Sequence, residues 1–141
     1  MSDTYTLRIE KSIDDLFRHL AQRASADEIK RMRSAYELAA EAHREQKRKS
    51  GEPFIMHPIA VATIVAEELE LDDNPIISAF LHDVVEDTDY TVEDIRNLFG
   101  EKIALIVDGL TKISGGVFGM QASEQAENFK KLLLTMSEDI R

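Results

Sequence analysis

Residues 74–87 read as one helix with two faces that need different surroundings, and this limits the possible folds more than any other stretch does. Asn74 suits an N-cap and Pro75 the first helical position, where a missing N–H costs nothing. At about 100° per residue, Ile77, Phe80, Leu81, Val84 and Val85 fall on one arc. His82, Asp83, Glu86 and Asp87 fall on the other, with only small Ala79 beside them. The first face has to be buried in a core. The second gathers an imidazole and three carboxylates, acceptors that repel one another unless a cation joins them. The segment therefore calls for a helical core with a cation site at its edge.

The remaining pattern is helical as well. Ser12-Ile-Asp-Asp is read as the start of a first helix striped by Ile13, Leu16, Phe17 and Leu20. Ser25-Ala-Asp-Glu is a capping box that opens a second, with Ile29, Met32, Tyr36, Ala39 and His43 in register. Basic, glycine-containing residues 47–56 form a loop. His57-Pro58 then begins a third helix, with His57 at or next to the cap, and this helix is apolar on most sides until Glu67. The helix at 74–87 comes fourth. Thr91 caps a fifth with Val92, Ile95, Leu98 and Phe99, stopped by Gly100. Ile103, Ile106, Val107 and Leu110 mark a sixth, residues 113–120 a mobile loop, and Ser123 the start of a seventh with Ala126, Phe129, Leu133 and Met136. No stretch alternates as a strand. The expected architecture is all-α, a bundle of about seven short helices in one domain spanning residues 1–141.

Composition removes several function classes. There is no cysteine, so disulfides, thiolate metal sites and cysteine nucleophiles are excluded. The most apolar stretch, Ile59 to Ala66, is too short to span a bilayer, and the start carries no basic-then-apolar leader pattern. A cytoplasmic protein without a membrane partner is expected. The net charge of −10 argues against direct nucleic-acid binding. Arg44, Lys47, Arg48 and Lys49 run against that trend, and a basic spot near a cation site suits a small polyanion.

Four histidines compete for the cation. His19 lies on a polar flank and is expected at the surface, while His43 continues an apolar stripe and is expected buried and hydrogen-bonded. His57 is either a neutral cap or a ligand. His82 is the strongest candidate, because Asp83 follows it and Glu86 and Asp87 lie one turn on. Imidazole nitrogens with carboxylate oxygens suit Mn²⁺, Fe²⁺ or Zn²⁺, and a site without sulfur leans toward the harder ions.

Several motifs in order then match a known pattern: Gln46-Lys-Arg-Lys-Ser-Gly-Glu-Pro-Phe-Ile-Met-His57-Pro, Ala79-Phe-Leu-His82-Asp83-Val-Val-Glu86-Asp87-Thr88, Phe99-Gly100, Val107-Asp-Gly-Leu-Thr-Lys112 and Gln125-Ala-Glu-Asn-Phe. Over roughly residues 25–141 the chain closely resembles the N-terminal HD-type hydrolase domain of the RelA/SpoT family. The resemblance implies an HD-fold phosphohydrolase that removes the 3′-pyrophosphate of the alarmone (p)ppGpp with manganese, leaving GDP or GTP. It implies that His57, His82 and Asp83 ligate the metal, that Glu86 and Asp87 are the catalytic acidic pair, and that Arg48, Lys49 and Ser50 hold the nucleotide. Of the acidic pair, one would orient or deprotonate a water and the other assist the leaving 3′ oxygen. Arg48 can stack on a purine or fork onto phosphate, and Lys49 offers a point charge. Lys112 is either a phosphate contact or an ordinary surface lysine.

The family pattern continues with a Leu-Ala-Asp-Arg-Leu-His-Asn motif whose aspartate is a fourth ligand, and this sequence stops at Arg141 before it. The expectation is a hydrolase domain lacking its C-terminal part, with neither synthetase nor regulatory domain, whose exposed apolar surface could support homo-oligomers. Two other readings stand beside it. One keeps the metal and changes the substrate to another nucleotide or phosphoester. The other is a non-catalytic helical module that binds a nucleotide or a partner protein.

Overall fold

A computed structural model describes residues 2–47, 51–69, 73–114, 124, 126–128 and 131. Six helices follow in order: α1 (Ser2–Leu20), α2 (Ala26–Ala42), α3 (Met56–Leu69), α4 (Asp73–Asp87), α5 (Val92–Phe99) and α6 (Glu101–Ser114). The described residues between 124 and 131 are helical too, and Ala126 is buried in the core, where the seventh helix was expected. Among the described residues there is no strand, only a single bridge between Lys47 and Pro53.

α4 is the hub, packed against α2, α3 and α6. Its expected apolar arc is buried, with Ile77, Phe80, Leu81 and Val84 at 0% exposure and Val85 half-buried. Phe80 meets Tyr36 of α2 edge-on at 5.6 Å between ring centres. On α3 Ile59, Val61, Ala62, Val65 and Ala66 are buried along one side, and Ala60, Thr63 and Ile64 on the other are half-buried. Its C-terminal end receives Arg23 Nη2, which donates to the Ala66 carbonyl at 2.6 Å and serves one of the carbonyls a helix end leaves unpaired. α1 rests on α3, and Arg33 of α2 lies 4.3 Å over the Phe17 ring.

Two of the caps read from sequence are formed. Ser25 and Glu28 exchange side-chain and backbone hydrogen bonds in a full capping box, and so do Thr91 and Asp94. Gly100 closes α5 at φ 105°, a conformation that side chains resist. Five details differ from expectation. Asn74 is not the cap of α4, which begins at Asp73 and takes Asn74 and Pro75 into its first turn, where Pro75 still needs no N–H partner. α6 continues to Ser114, so Ile113 and Ser114 belong to it and not to the anticipated loop. Ser12 is not a cap: α1 begins ten residues earlier, because Ile9 extends the Ile13–Leu16–Phe17–Leu20 stripe back one turn. α3 begins at Met56, so His57 is inside the first turn and Pro58 still sits where no N–H partner is needed. Leu98 is 58% exposed: α5 seats Ile95 and half-buries Phe99, and Leu98 is left at the solvent edge of that face.

Candidate metal centre

The first turn of α3 meets the middle of α4 and brings His57, His82 and Asp83 together. All three are buried, and one potential ligand atom from each lies within 4.8 Å of the others. The imidazole rings of His57 and His82 have centres 6.5 Å apart, inclined at 57°. His82 Nδ1 lies 2.9 Å from the Ala79 carbonyl one turn back. A carbonyl can only accept, so Nδ1 carries a proton and donates, and in the neutral imidazole Nε2 is then the lone pair. The small Ala79 that stood out in the sequence thus supplies the group that fixes the tautomer.

Asp83 Oδ2 stands 3.2 Å from His82 Nε2 and 3.8 Å from His57 Nε2. Neither approach has hydrogen-bond geometry, and this buried oxygen has no hydrogen-bond partner. An unsatisfied buried carboxylate oxygen beside a nitrogen lone pair is costly, and a cation between them relieves both. Donors about 2.1 Å from one ion at tetrahedral or octahedral angles stand about 3.0–3.4 Å apart. The His82–Asp83 spacing already falls in that range, and the His57–Asp83 spacing is a few tenths of an ångström wider. Two nitrogens and an oxygen without sulfur fit a first-row divalent ion. No other group of three such side chains among the described residues comes this close.

Glu86 and Asp87 follow on the same face, half-buried at the end of α4. Burial pushes the Glu86 carboxyl above the ordinary carboxylate range, and the Asp83 charge pushes it further. Asp87 raises it as well, and His82 opposes. Asp87 is raised by burial first and Asp83 second, with His43 and His82 opposing. The arrangement holds two carboxyl groups ready to carry protons beside a cation cradle.

The remaining expected residues divide. His19 is exposed, and His43 is 1% exposed with Nδ1 2.9 Å from Gln46 Oε1, each as anticipated. Arg48, Lys49 and Ser50 lie outside the described residues, as do 115–120 of the anticipated loop and the side chain of Lys112. Two surface hollows of about 240 and 360 Å³ lie between α1 and α3, and no residue of the cradle lines either. Sequence reasoning missed Gln46, whose side chain reaches 41 residues along the chain to the Asp87 carbonyl at 3.1 Å. A glutamine in a basic loop carries no signal of such a partner.

The sequence profile of the HD domain matches residues 35–141. Over 141 residues, the whole of this chain, 48% are identical to the guanosine-3′,5′-bis(diphosphate) 3′-pyrophosphohydrolase of Aquifex aeolicus, of which the match covers 19%. Identity is also 48% over 115 residues, 82% of this chain, with the bifunctional (p)ppGpp synthase/hydrolase SpoT of Escherichia coli K12, and covers 16% of it. The chain thus spans less than a fifth of the length of these curated relatives. Among solved structures, a metazoan ortholog of SpoT described as hydrolysing ppGpp superposes with a TM-score of 0.54 and 36% identity, over 60% of this chain and 47% of that one.

Proposed function

Taking as premise that this chain belongs to the HD-domain family, in its RelA/SpoT branch, we propose that it hydrolyses (p)ppGpp to GDP or GTP and pyrophosphate. The observation that carries the proposal is the meeting of His57, His82 and Asp83 around a buried carboxylate oxygen with no partner, next to two carboxyls biased toward their protonated forms. Relatives named for this reaction support the choice of substrate.

In this reading His57, His82 and Asp83 hold one divalent ion, Mn²⁺ by the resemblance, and residues 1–141 act as a single HD-type hydrolase unit. The ion, when bound, neutralises phosphate charge and makes water a better nucleophile. The chain's own part is to place protons. Ala79 keeps His82 Nε2 free of a proton and aimed inward. Water adds to the phosphorus attached to the ribose 3′ oxygen, and the bond between them breaks. The departing oxygen takes a proton, and a carboxyl with a raised pKa is suited to give it; Glu86 and Asp87 share the tasks of proton donor and water orientation. Arg48, Lys49 and Ser50 hold the nucleotide, with Arg48 forking onto phosphate or stacking on the purine.

The substrate is a free nucleotide, in keeping with a net charge of −10 that repels nucleic acid. No helix among the described residues is long and apolar enough to cross a membrane, and we assign the protein to the cytoplasm.

The test is pyrophosphate release from ppGpp by the 141-residue chain with and without Mn²⁺, with Asp83→Asn as control. Metal-dependent release lost in the control is the expected result. Release that ignores both metal and Asp83 would refute the proposal.

A further inference from the structure

Gln46 makes four hydrogen bonds, and together they join three elements. Its Nε2 donates to the Asp87 carbonyl at 3.1 Å, serving a group that the end of α4 leaves without a helical partner. That contact fixes the amide orientation, so Oε1 faces His43 and accepts from His43 Nδ1–H at 2.9 Å. Its backbone N–H donates to the His43 carbonyl at 2.9 Å, and its carbonyl accepts from the Phe54 N–H at 2.9 Å. The connection then runs on to the cradle. The Phe54 carbonyl accepts from the His57 N–H at 2.9 Å, and the Phe54 ring meets His57 edge-on at 6.0 Å. His43 lies against the other side of that path, 4.6 Å from the Phe54 ring.

His43 bears a cost in this arrangement. With Nδ1 donating, its Nε2 is a buried lone pair without a hydrogen-bond partner. A phenylalanine would fill the same space without that cost. What it could not supply is the proton that orients Gln46.

We propose that His43 and Gln46 are positioning residues that set the distance of His57 from α4, and so the dimensions of the cradle, without touching the ion. The clasp runs from the Asp87 carbonyl through Gln46 and Phe54 to the His57 backbone. His82 and Asp83 share one helix and hold their own spacing; His57 comes from another, and this path ties it to theirs. The inference rests on the reading that His57, His82 and Asp83 hold a divalent ion.

The test uses Mn²⁺ alone, titrated into the 141-residue chain by calorimetry, with His43→Phe, Gln46→Leu, the double variant and His43→Asn. Each of the first two should weaken Mn²⁺ binding by about tenfold, in the range of groups that orient ligands from outside the first layer. The double variant should be no weaker than either alone, because each breaks the same path. His43→Asn keeps an N–H near the position of Nδ1 and should recover binding to within about threefold of the parent. Additive losses, no loss, or failure of asparagine to recover binding while the fold stays intact by circular dichroism would each overturn the proposal. Should the parent chain bind no Mn²⁺, the reading of the cradle falls, and amide hydrogen exchange decides the clasp separately. Exchange at Phe54 and His57 at least about tenfold faster in Gln46→Leu and His43→Phe sustains it, and unchanged exchange overturns it.

Discussion

Nε2 of His82 and Oδ2 of Asp83 belong to adjacent residues of α4 and stand 3.2 Å apart with no hydrogen bond between them. Successive side chains on a helix usually diverge, so this convergence is imposed by the surroundings. The Ala79 carbonyl holds Nδ1 of the ring, which leaves Nε2 toward Asp83, and the core closes over the rest. The contact is costly by itself, and a cation between the two atoms would relieve it.

Asp83→Asn should therefore act in opposite directions in the two states. Without metal it removes an unpaired buried charge and should leave stability unchanged or raise it by up to about 1–2 kcal/mol. With Mn²⁺ at about 100 times its dissociation constant the parent should gain about 2.7 kcal/mol and the variant almost nothing. Thermal melts with added MnCl₂ and with chelator measure both. A variant that is destabilised without metal and still responds to Mn²⁺ would contradict the assignment of Asp83.

The two histidines should separate by depth. His82 is 0% exposed and packed among core side chains, so His82→Ala should cost about 2–4 kcal/mol of stability besides abolishing the Mn²⁺ response. His57, at 8% exposure in the first turn of α3, should lose the Mn²⁺ response on alanine substitution at a smaller cost. Denaturant unfolding of both variants without metal gives the comparison.

Glu86 and Asp87 set a pH dependence whose sign follows from their raised carboxyls. The folded protein holds these protons to higher pH than the unfolded chain does. Their contribution is thus fully favourable below the ordinary carboxylate pKa and is lost as pH rises through the folded values. Metal-free Glu86→Gln and Asp87→Asn should remove that fall. Both groups are half-exposed and solvent-screened, so each variant should melt only about 1–2 °C above the parent at pH 7, with no gain at pH 4. A larger gain at pH 4 than at pH 7 would reverse the argument.

Arg48→Ala tests the nucleotide half of the proposed function. Loss of a forked or stacked guanidinium should lower kcat/KM for ppGpp by about 10–100-fold and leave hydrolysis of an aryl phosphate within about threefold. Equal losses on both substrates would point to a reaction that does not read guanine nucleotide.

Thr91→Ala serves as a stability control away from the cradle. Breaking the α5 capping box should cost about 1 kcal/mol and leave the Mn²⁺ response as in the parent. Melting curves of the two proteins at equal metal concentration check both halves of that expectation.

Much of this was legible in the residues because local rules and packing agree here. Ser25 and Thr91 cap helices as their neighbours demand, and the arc from Ile77 to Val84 goes into the core while its opposite face carries His82 and Asp83. Ser12 misled because serine followed by acids and apolar residues spells a cap anywhere, and only the stripe continuing back to Ile9 shows a helix already under way. Leu98 misled because a short helix with three apolar neighbours cannot bury them all against one side. The convergence of His57 with His82 is tertiary, set by how α3 crosses α4, and the motif suggested it without specifying a distance. The reach of Gln46 to Asp87 was invisible, since nothing local distinguishes a glutamine that bridges elements from one that faces water.

The clamping of α4 by α2, α3 and α6 has one more consequence. A rod gripped on three flanks should keep its shape whether or not an ion is present, so His82 and Asp83 should hold the same places in both states. Little reorganisation is then left for an arriving ion to drive. Discrimination between ions falls to radius and preferred bond length, as in a rigid jig, with little help from a chain wrapping itself around its guest.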